Sequence, residues 1–563
     1  MKNAKRLVSM LLAIAVMFSL AVPVMAEEHT NHVITIATNE NGHTFEAYEI
    51  FDGEVQTSTG EDPVLVNVKW GAGIDWDNPV GGKTLLEALQ SSSLNPHYYS
   101  KYTSIAGVDG TRTEDDVAKD IAAALANTST AEHGLAFAKL AGKYLTTEQG
   151  TSKKYKSGAD VADDVTDFDE YRISPLTDGY YLVKEADATE FDGETATLYM
   201  MSLVDNATVY LKAGKVTVTN QVLEVNGNNY NALDFYIGDI ILFEAAGKVP
   251  ERFNQYDSFS MSFVISFGDK FYYEDSYNSE ITAEVVGGGT TKTVTPTSKS
   301  YDSGNNTLTV SFDNIKALGA TVLADYTLEV KYPAKLMDNA VPGNHGGNGN
   351  EVSVHIVYTR DPYTNDTETT VEAEASVFTY QLDLFKKNGK VTGNEGLADA
   401  EFVIYRGDSS SPLFAKGTKS TDANGNNVLT INEWVSGENN ATKVTSPSNG
   451  HIIFKGLDNA IYHLRETAAP NTFNKLEEDV RVNVQAVINQ DNRTVASISV
   501  NQGGGASVDG DADKGTVNTT VVNQPGQTLP STGGIGTTIF YVVGGILVAG
   551  AAVLLITRKR MEQ

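Results

Sequence analysis

Short runs in which apolar and polar residues alternate recur along most of the chain. Examples are HVITIAT (32–38), SMSFVISF (260–267), NTLTVSF (306–312) and SVHIVY (353–358), separated along the chain by turns of Gly, Asn and Asp. A period of two places alternate side chains on opposite faces of a strand, so these runs predict sheets with one buried face. Many such strands separated by turn residues predict β-sandwiches. Residues 114–146 break the pattern: Val117, Ile121 and Leu125 recur at helical spacing, which predicts a helical insertion. At the C-terminal end, Ile539 to Ile556 carries no charge and, at about 1.5 Å per residue, just reaches across a hydrocarbon core. Arg558, Lys559 and Arg560 follow at once, which keeps that end cytoplasmic and faces everything before it outward. At the other end, Lys2, Lys5 and Arg6 precede an apolar run closing on Val24-Met25-Ala26, the pattern of a secretory signal peptide cleaved after Ala26.

Composition narrows the function. At about 150 residues per domain, the exported stretch holds about three domains. We read modules at 27–209 (β with the helical insertion), 213–372 and 373–525, between the signal peptide (1–26) and the C-terminal segment (529–563). The 563 residues include no cysteine, so no disulfide can staple this exported protein. A formal net charge of −30 argues against nucleic acid and suits a soluble extracellular surface. The nine histidines are scattered. VDGDADKG (508–515) has Lys514 and Thr520 where a calcium loop needs Gly and Glu, so it reads as an acidic turn. No nucleophile elbow, zinc motif or His/Asp pair supports an enzyme, and no metal or cofactor is expected.

Strand parity in the third module places three polar groups in one apolar core. Tyr380, Leu382 and Leu384 share a face with Lys386; Tyr462 and Leu464 share one with Glu466; Val517, Thr519 and Val521 share one with Asn523. Each polar group would be costly there alone. Two arrangements satisfy them: a buried ion pair with a hydrogen-bonded amide, or an intramolecular isopeptide bond. Parity lost at the strand ends would instead leave them outside the core. In the second arrangement burial disfavours charge on both ionisable groups, the Lys386 amine attacks the Asn523 amide, Glu466 shuttles the proton, and ammonia leaves.

Leu529, Pro530, Ser531, Thr532 and Gly533, then a spacer, the apolar span and the basic tail, together resemble the cell-wall sorting signal of Gram-positive surface proteins. The resemblance implies a membrane sortase cutting between Thr532 and Gly533, with the 539–556 helix as a temporary membrane anchor. The three modules in turn resemble those of backbone (major) pilins of sortase-assembled pili. The likeness rests on TFEAYEIFDGE and LVNVKWGAGID in the first, VKYPAKLMDNAVPGNHGGNGNEVSVHIVYTRDP in the second, and GLADAEFVIYR and YHLRETAAP in the third, which is similar to a Cna protein B-type domain. It implies tandem immunoglobulin-like sandwiches, and it assigns Lys386, Glu466 and Asn523 the bond-forming roles, with Glu466 catalytic. The middle module departs from the pattern: Asn220 stands where the family has a lysine and Asn350 matches the amide partner. The acid position falls near Phe267, with Asp269 offset. Family pilins accept the incoming Thr on a lysine of a YPKN-type motif between the first two modules. VYLKAG puts Lys212 at that junction, whereas KYPAKL puts Lys335 deep in the second module, so Lys212 is the expected acceptor. The implied partners are a class C-type pilus sortase, a housekeeping sortase, identical subunits joined head to tail, and peptidoglycan. The other function open to such a chain is a singly anchored adhesin or ancillary pilin that binds a host or bacterial surface ligand.

Overall fold

The structure is a computed structural model. It describes residues 30–37, 43–56, 64–91, 99–126, 131–151, 153–155, 170–186, 198–210, 214–251, 253, 256–318, 325–345, 349–361, 366–408, 410–527 and 535–562. The signal peptide, Lys212 and the Leu529–Gly533 motif fall outside the described residues. The fold is mainly β, in several sheets with immunoglobulin-like packing, and the alternating runs fall on strands: residues 32–37 in Thr30–Ala37, 261–266 in Met261–Ser266, 307–312 in Thr307–Phe312 and 353–358 in Asn350–Thr359. Two compact units divide the chain, 1–379 with 487–496, and 380–486 with 497–563.

The first unit holds four of the sheets. A four-stranded and a five-stranded sheet enclose Ile34, Ile36, Phe45, Tyr181 and Val183, all fully buried. Against the outer side of the five-stranded sheet pack the helices Leu85–Leu89, Glu114–Ala126 and Ala131–Ala141. Glu114–Ala126 buries Val117, Ala118, Ile121 and Leu125, the stripe that the sequence spacing predicts. The short Leu85–Leu89 helix, closed at its N-terminus by a Thr84/Glu87 capping box, is not foreshadowed by the periodicity. Beyond Thr217, two seven-stranded sheets face each other across one continuous apolar core. The strand Ala373–Phe378, read from sequence as the start of the third module, pairs antiparallel with Asn350–Thr359 and parallel with Ala232–Asp234. Its ladder therefore belongs to the middle sandwich, and the second unit starts at Tyr380.

In the second unit eleven strands form one hydrogen-bonded series. Its first and last long strands, Tyr380–Asn388 and Thr516–Asn523, pair in parallel, with Lys386 opposite Val521 and Asn388 opposite Asn523. The final helix runs Ile535–Met561, a few residues longer at each end than the uncharged span, and is long and apolar enough to cross a membrane.

Ile121 is fully buried among the helices and sheet of the first module. Ile121→Ala is expected to cost about 2–5 kcal/mol. In a Trp434→Phe background the remaining fluorescence comes from Trp70 and Trp76, which stack 5.3 Å apart against this cluster. The urea midpoint of that signal should fall; an unchanged midpoint would show that the insertion is not part of the first module's core.

Candidate functional site

The parity of the third module is carried through without a slip. Along Tyr380–Asn388, Tyr380, Leu382, Leu384 and Lys386 are all fully buried while the residues between them are not. Tyr462, Leu464 and Glu466 alternate in the same way along Ile461–Ala468, as do Val517, Thr519, Val521 and Asn523 along Thr516–Asn523. The three strand faces meet in one core, and the three polar side chains meet in it. The Lys386 Nζ donates to Asn523 Oδ1 and lies 3.2 Å from Glu466 Oε1, with both ionic side chains fully shielded from solvent. Asn523 Nδ2 donates to the same Glu466 oxygen at 2.7 Å. The second oxygen, Oε2, accepts the main-chain N–H of Leu476 at 2.8 Å.

Two further features fix the lysine. Its Nζ stands 5.1 Å from the centroid of the buried Phe402 ring. Its carbonyl passes so close to Gly450, which has φ +82°, that a Cβ there would come within 2.5 Å of it, so only glycine fits. Burial pushes the Lys386 pKa down to about 8, against the opposing pull of Glu466. The amine is therefore much closer to its neutral, nucleophilic form at physiological pH than an exposed lysine.

Chemically the arrangement brings a nucleophile, a proton carrier and a leaving group together. The nitrogen of Lys386 sits beside the carboxamide it would attack, and Glu466 Oε1 reaches both that nitrogen and the Asn523 nitrogen that would depart. Strand parity brought out Lys386, Glu466 and Asn523. The Leu476 N–H left no signal in the sequence, because every non-proline residue carries one. Phe402 lies within GLADAEFVIYR, in a strand buried on both faces, so parity alone does not single it out.

The corresponding position of the middle module holds a neutral network. Asn220 is buried; its Nδ2 donates to the Val352 carbonyl at 2.8 Å and its Oδ1 accepts the Tyr332 hydroxyl at 2.8 Å. Asn350 accepts the N–H of Val341 and donates to the carbonyls of Val341 and Val377, at 2.9, 3.1 and 3.0 Å. Phe267 packs between Tyr273 and Tyr332, and Asp269 is exposed and paired with Lys270. Among the described residues, no lysine side chain enters this set of contacts.

Of the two candidate acceptor lysines, Lys335 lies within Thr327–Leu336, its main chain paired with Ile240 on one side and Tyr272 on the other. Lys212 and the five sorting residues lie outside the described residues, between the strands Ala207–Tyr210 and Thr217–Leu223 and ahead of the Ile535–Met561 helix respectively.

Residues 384–501 match the family model of a prealbumin-like fold domain termed SpaA, and residues 521–562 match that of the LPXTG cell wall anchor motif. No curated protein matches the chain in sequence. Similar solved structures include the T6 backbone pilin of Streptococcus pyogenes serotype M6, at 14% identity and TM-score 0.47, covering 89% of this chain and 99% of that one. Another is the major pilin SpaA of Corynebacterium diphtheriae, at 13% identity and TM-score 0.43, covering 88% and 100%. That structure is described as pointing to a modular pilus assembly with stabilizing isopeptide bonds. A third is the pilus 2b backbone protein of group B streptococcus, at 19% identity and TM-score 0.39, covering 55% and 99%. Residues 384–501 thus carry a SpaA-type prealbumin-like domain, and the LPXTG anchor motif with the apolar Ile535–Met561 helix behind it marks a cell wall-anchored surface protein.

Proposed function

We propose that the chain is a shaft subunit of a covalently polymerised surface pilus, internally cross-linked between Lys386 and Asn523. The observation that carries this reading is the buried Lys386–Glu466–Asn523 set, which joins the first and last strands of the module next to the anchor. Bond formation is a condensation. Lys386 Nζ attacks Asn523 Cγ, the new C–N bond replaces the Cγ–Nδ2 bond, and Glu466 carries a proton from the attacking nitrogen to the departing one, which leaves as ammonia. The bond closes a loop across a sequence separation of 137. By analogy with disulfide loop closure it contributes on the order of 5 kcal/mol. Its mechanical consequence is larger, because a pulling force entering at the first strand passes directly to the last.

Polymerisation follows from the anchor. A sortase cleaves between Thr532 and Gly533 and passes the Thr532 carbonyl to Lys212 of the next subunit, and a housekeeping sortase joins the last subunit to peptidoglycan. Each subunit then uses two different surfaces, a heterologous contact that does not close and so builds a fibre. Lys212 is favoured over Lys335 because VYLKAG stands at the junction of the first two modules, whereas Lys335 lies deep in the second, near the end of the strand Thr327–Leu336.

Three outcomes are expected. The mature protein should weigh about 17 Da less than the sum of its residues, one ammonia and not two, since Asn220 stands at the lysine position of the middle module. Glu466→Ala should restore that mass and lower the thermal midpoint and protease resistance; a wild-type protein of full sequence mass excludes the bond. When unfolded, unreacted chain is refolded across pH 6 to 9, the rate of ammonia loss should fall about tenfold per unit below about pH 8, as Lys386 takes up a proton. A rate flat across this range would mean that the amine's protonation does not govern the reaction.

For assembly, Lys212→Arg keeps the charge but leaves a guanidinium that stays protonated and cannot attack. It should abolish the SDS-resistant ladder in cell-wall extracts while monomer remains anchored through Thr532. A ladder that survives Lys212→Arg and vanishes with Lys335→Arg would move the acceptor. A wild type that forms no ladder beside a pilus sortase would favour the singly anchored adhesin.

A further inference from the structure

Within the proposed cross-linking reaction, on which this inference rests, we propose that the main-chain N–H of Leu476 is the positioning group that dedicates one oxygen of Glu466 to proton transfer. Glu466 stands near the end of the strand Ile461–Ala468, where a carboxyl is free to rotate about its last bond. Leu476 N–H donates to Oε2 at 2.8 Å. An amide N–H can only donate, and the carbonyl-type oxygen of a carboxylic acid accepts better than its hydroxyl oxygen, so this contact favours an Oε2 without the proton. The contact thus biases the proton in transit toward Oε1, the oxygen that faces both Lys386 Nζ at 3.2 Å and Asn523 Nδ2 at 2.7 Å.

The loop that delivers this N–H is itself held by the chain just past the reacting amide. Asn474 N–H donates to the Gln524 carbonyl at 3.0 Å, and Gly526 N–H donates to the Thr472 carbonyl at 2.8 Å. Phe473 and Pro525 form an isolated β-bridge. Thr472 has φ +75°, a conformation that a β-branched residue adopts only where its surroundings impose it. From the other side, Lys390 Nζ donates to Thr472 Oγ1 at 2.8 Å and lies 4.4 Å from the Phe473 ring centroid. The segment following Asn523 thus fixes the loop, and the loop fixes the acid that acts on Asn523, so the acid and the amide are brought into register by one set of contacts.

The test compares Leu476→Pro, which deletes the N–H, with Leu476→Ala, which keeps it. The full chain is refolded from the unreacted state, and the cross-linked peptide is followed by mass over time. Leu476→Pro should slow bond formation at least tenfold, whereas Leu476→Ala should stay within about twofold of wild type. In a Lys386→Ala background, where no bond can form, the unfolding midpoint reads how far Leu476→Pro disturbs the fold itself, since it leaves the buried Glu466 Oε2 without its donor. If proline lowers it, an ester in place of the Leu476 amide, introduced by semisynthesis, removes the N–H alone and decides the matter by the same rate. A proline or ester variant that reacts at the wild-type rate overturns the positioning role, as does an alanine variant as slow as proline. A wild type that never loses ammonia overturns the cross-link itself, and this role with it.

Discussion

A lysine, a glutamate and an asparagine share one dry core with Tyr380, Leu382, Leu384, Phe402, Tyr462 and Leu464, and the architecture of the third module follows from that burial. Charges taken out of water cost several kcal/mol each unless partners compensate them, and removing one member of a buried pair costs about 3–5 kcal/mol. Here each polar atom of the set faces another: amine to carboxamide oxygen, carboxyl oxygen to amine and carboxamide nitrogen, second carboxyl oxygen to a main-chain N–H. Such satisfaction demands that three strands end in register. The parallel pairing of the first strand with the last supplies two of them, and the absence of a side chain at Gly450 lets the lysine strand lie close enough. The same closeness that makes the burial tolerable also makes the covalent reaction accessible.

The middle sandwich solves the corresponding packing problem without charge. Asn220 and Asn350 are saturated by main-chain groups and the Tyr332 hydroxyl, and aromatic rings fill the place an acid would occupy. Two large sheets enclosing a wide apolar core leave this module to rely on area buried and hydrogen bonds made. In the proposed fibre the cross-link would close the module next to the anchor covalently, whereas the middle one would yield under load.

Much of this was legible in the chain because period-two alternation is a local property. The inward parity of Lys386, Glu466 and Asn523 could be read strand by strand, and the helical stripe of Val117, Ile121 and Leu125 likewise. What escaped depends on partners distant in sequence. Nothing within Ala373–Phe378 says that its ladder partner is Asn350–Thr359, so the module boundary read from sequence fell ahead of a strand that belongs to the middle sandwich. The Leu85–Leu89 helix is too short for periodicity to reveal it. A main-chain donor such as that of Leu476 has no side-chain signature at all. The sorting residues Leu529 to Gly533 and the proposed acceptor Lys212 rest on motif and order along the chain.

Pulling single molecules of the exported chain by its two ends tests the central claim most directly. If Lys386 and Asn523 are joined, the third module should give no unfolding step however far the others extend, because the force bypasses the loop between them. A step on the order of 450 Å, the extended length of that 137-residue separation, in wild-type protein would show that the module opens between these residues and would contradict the cross-link.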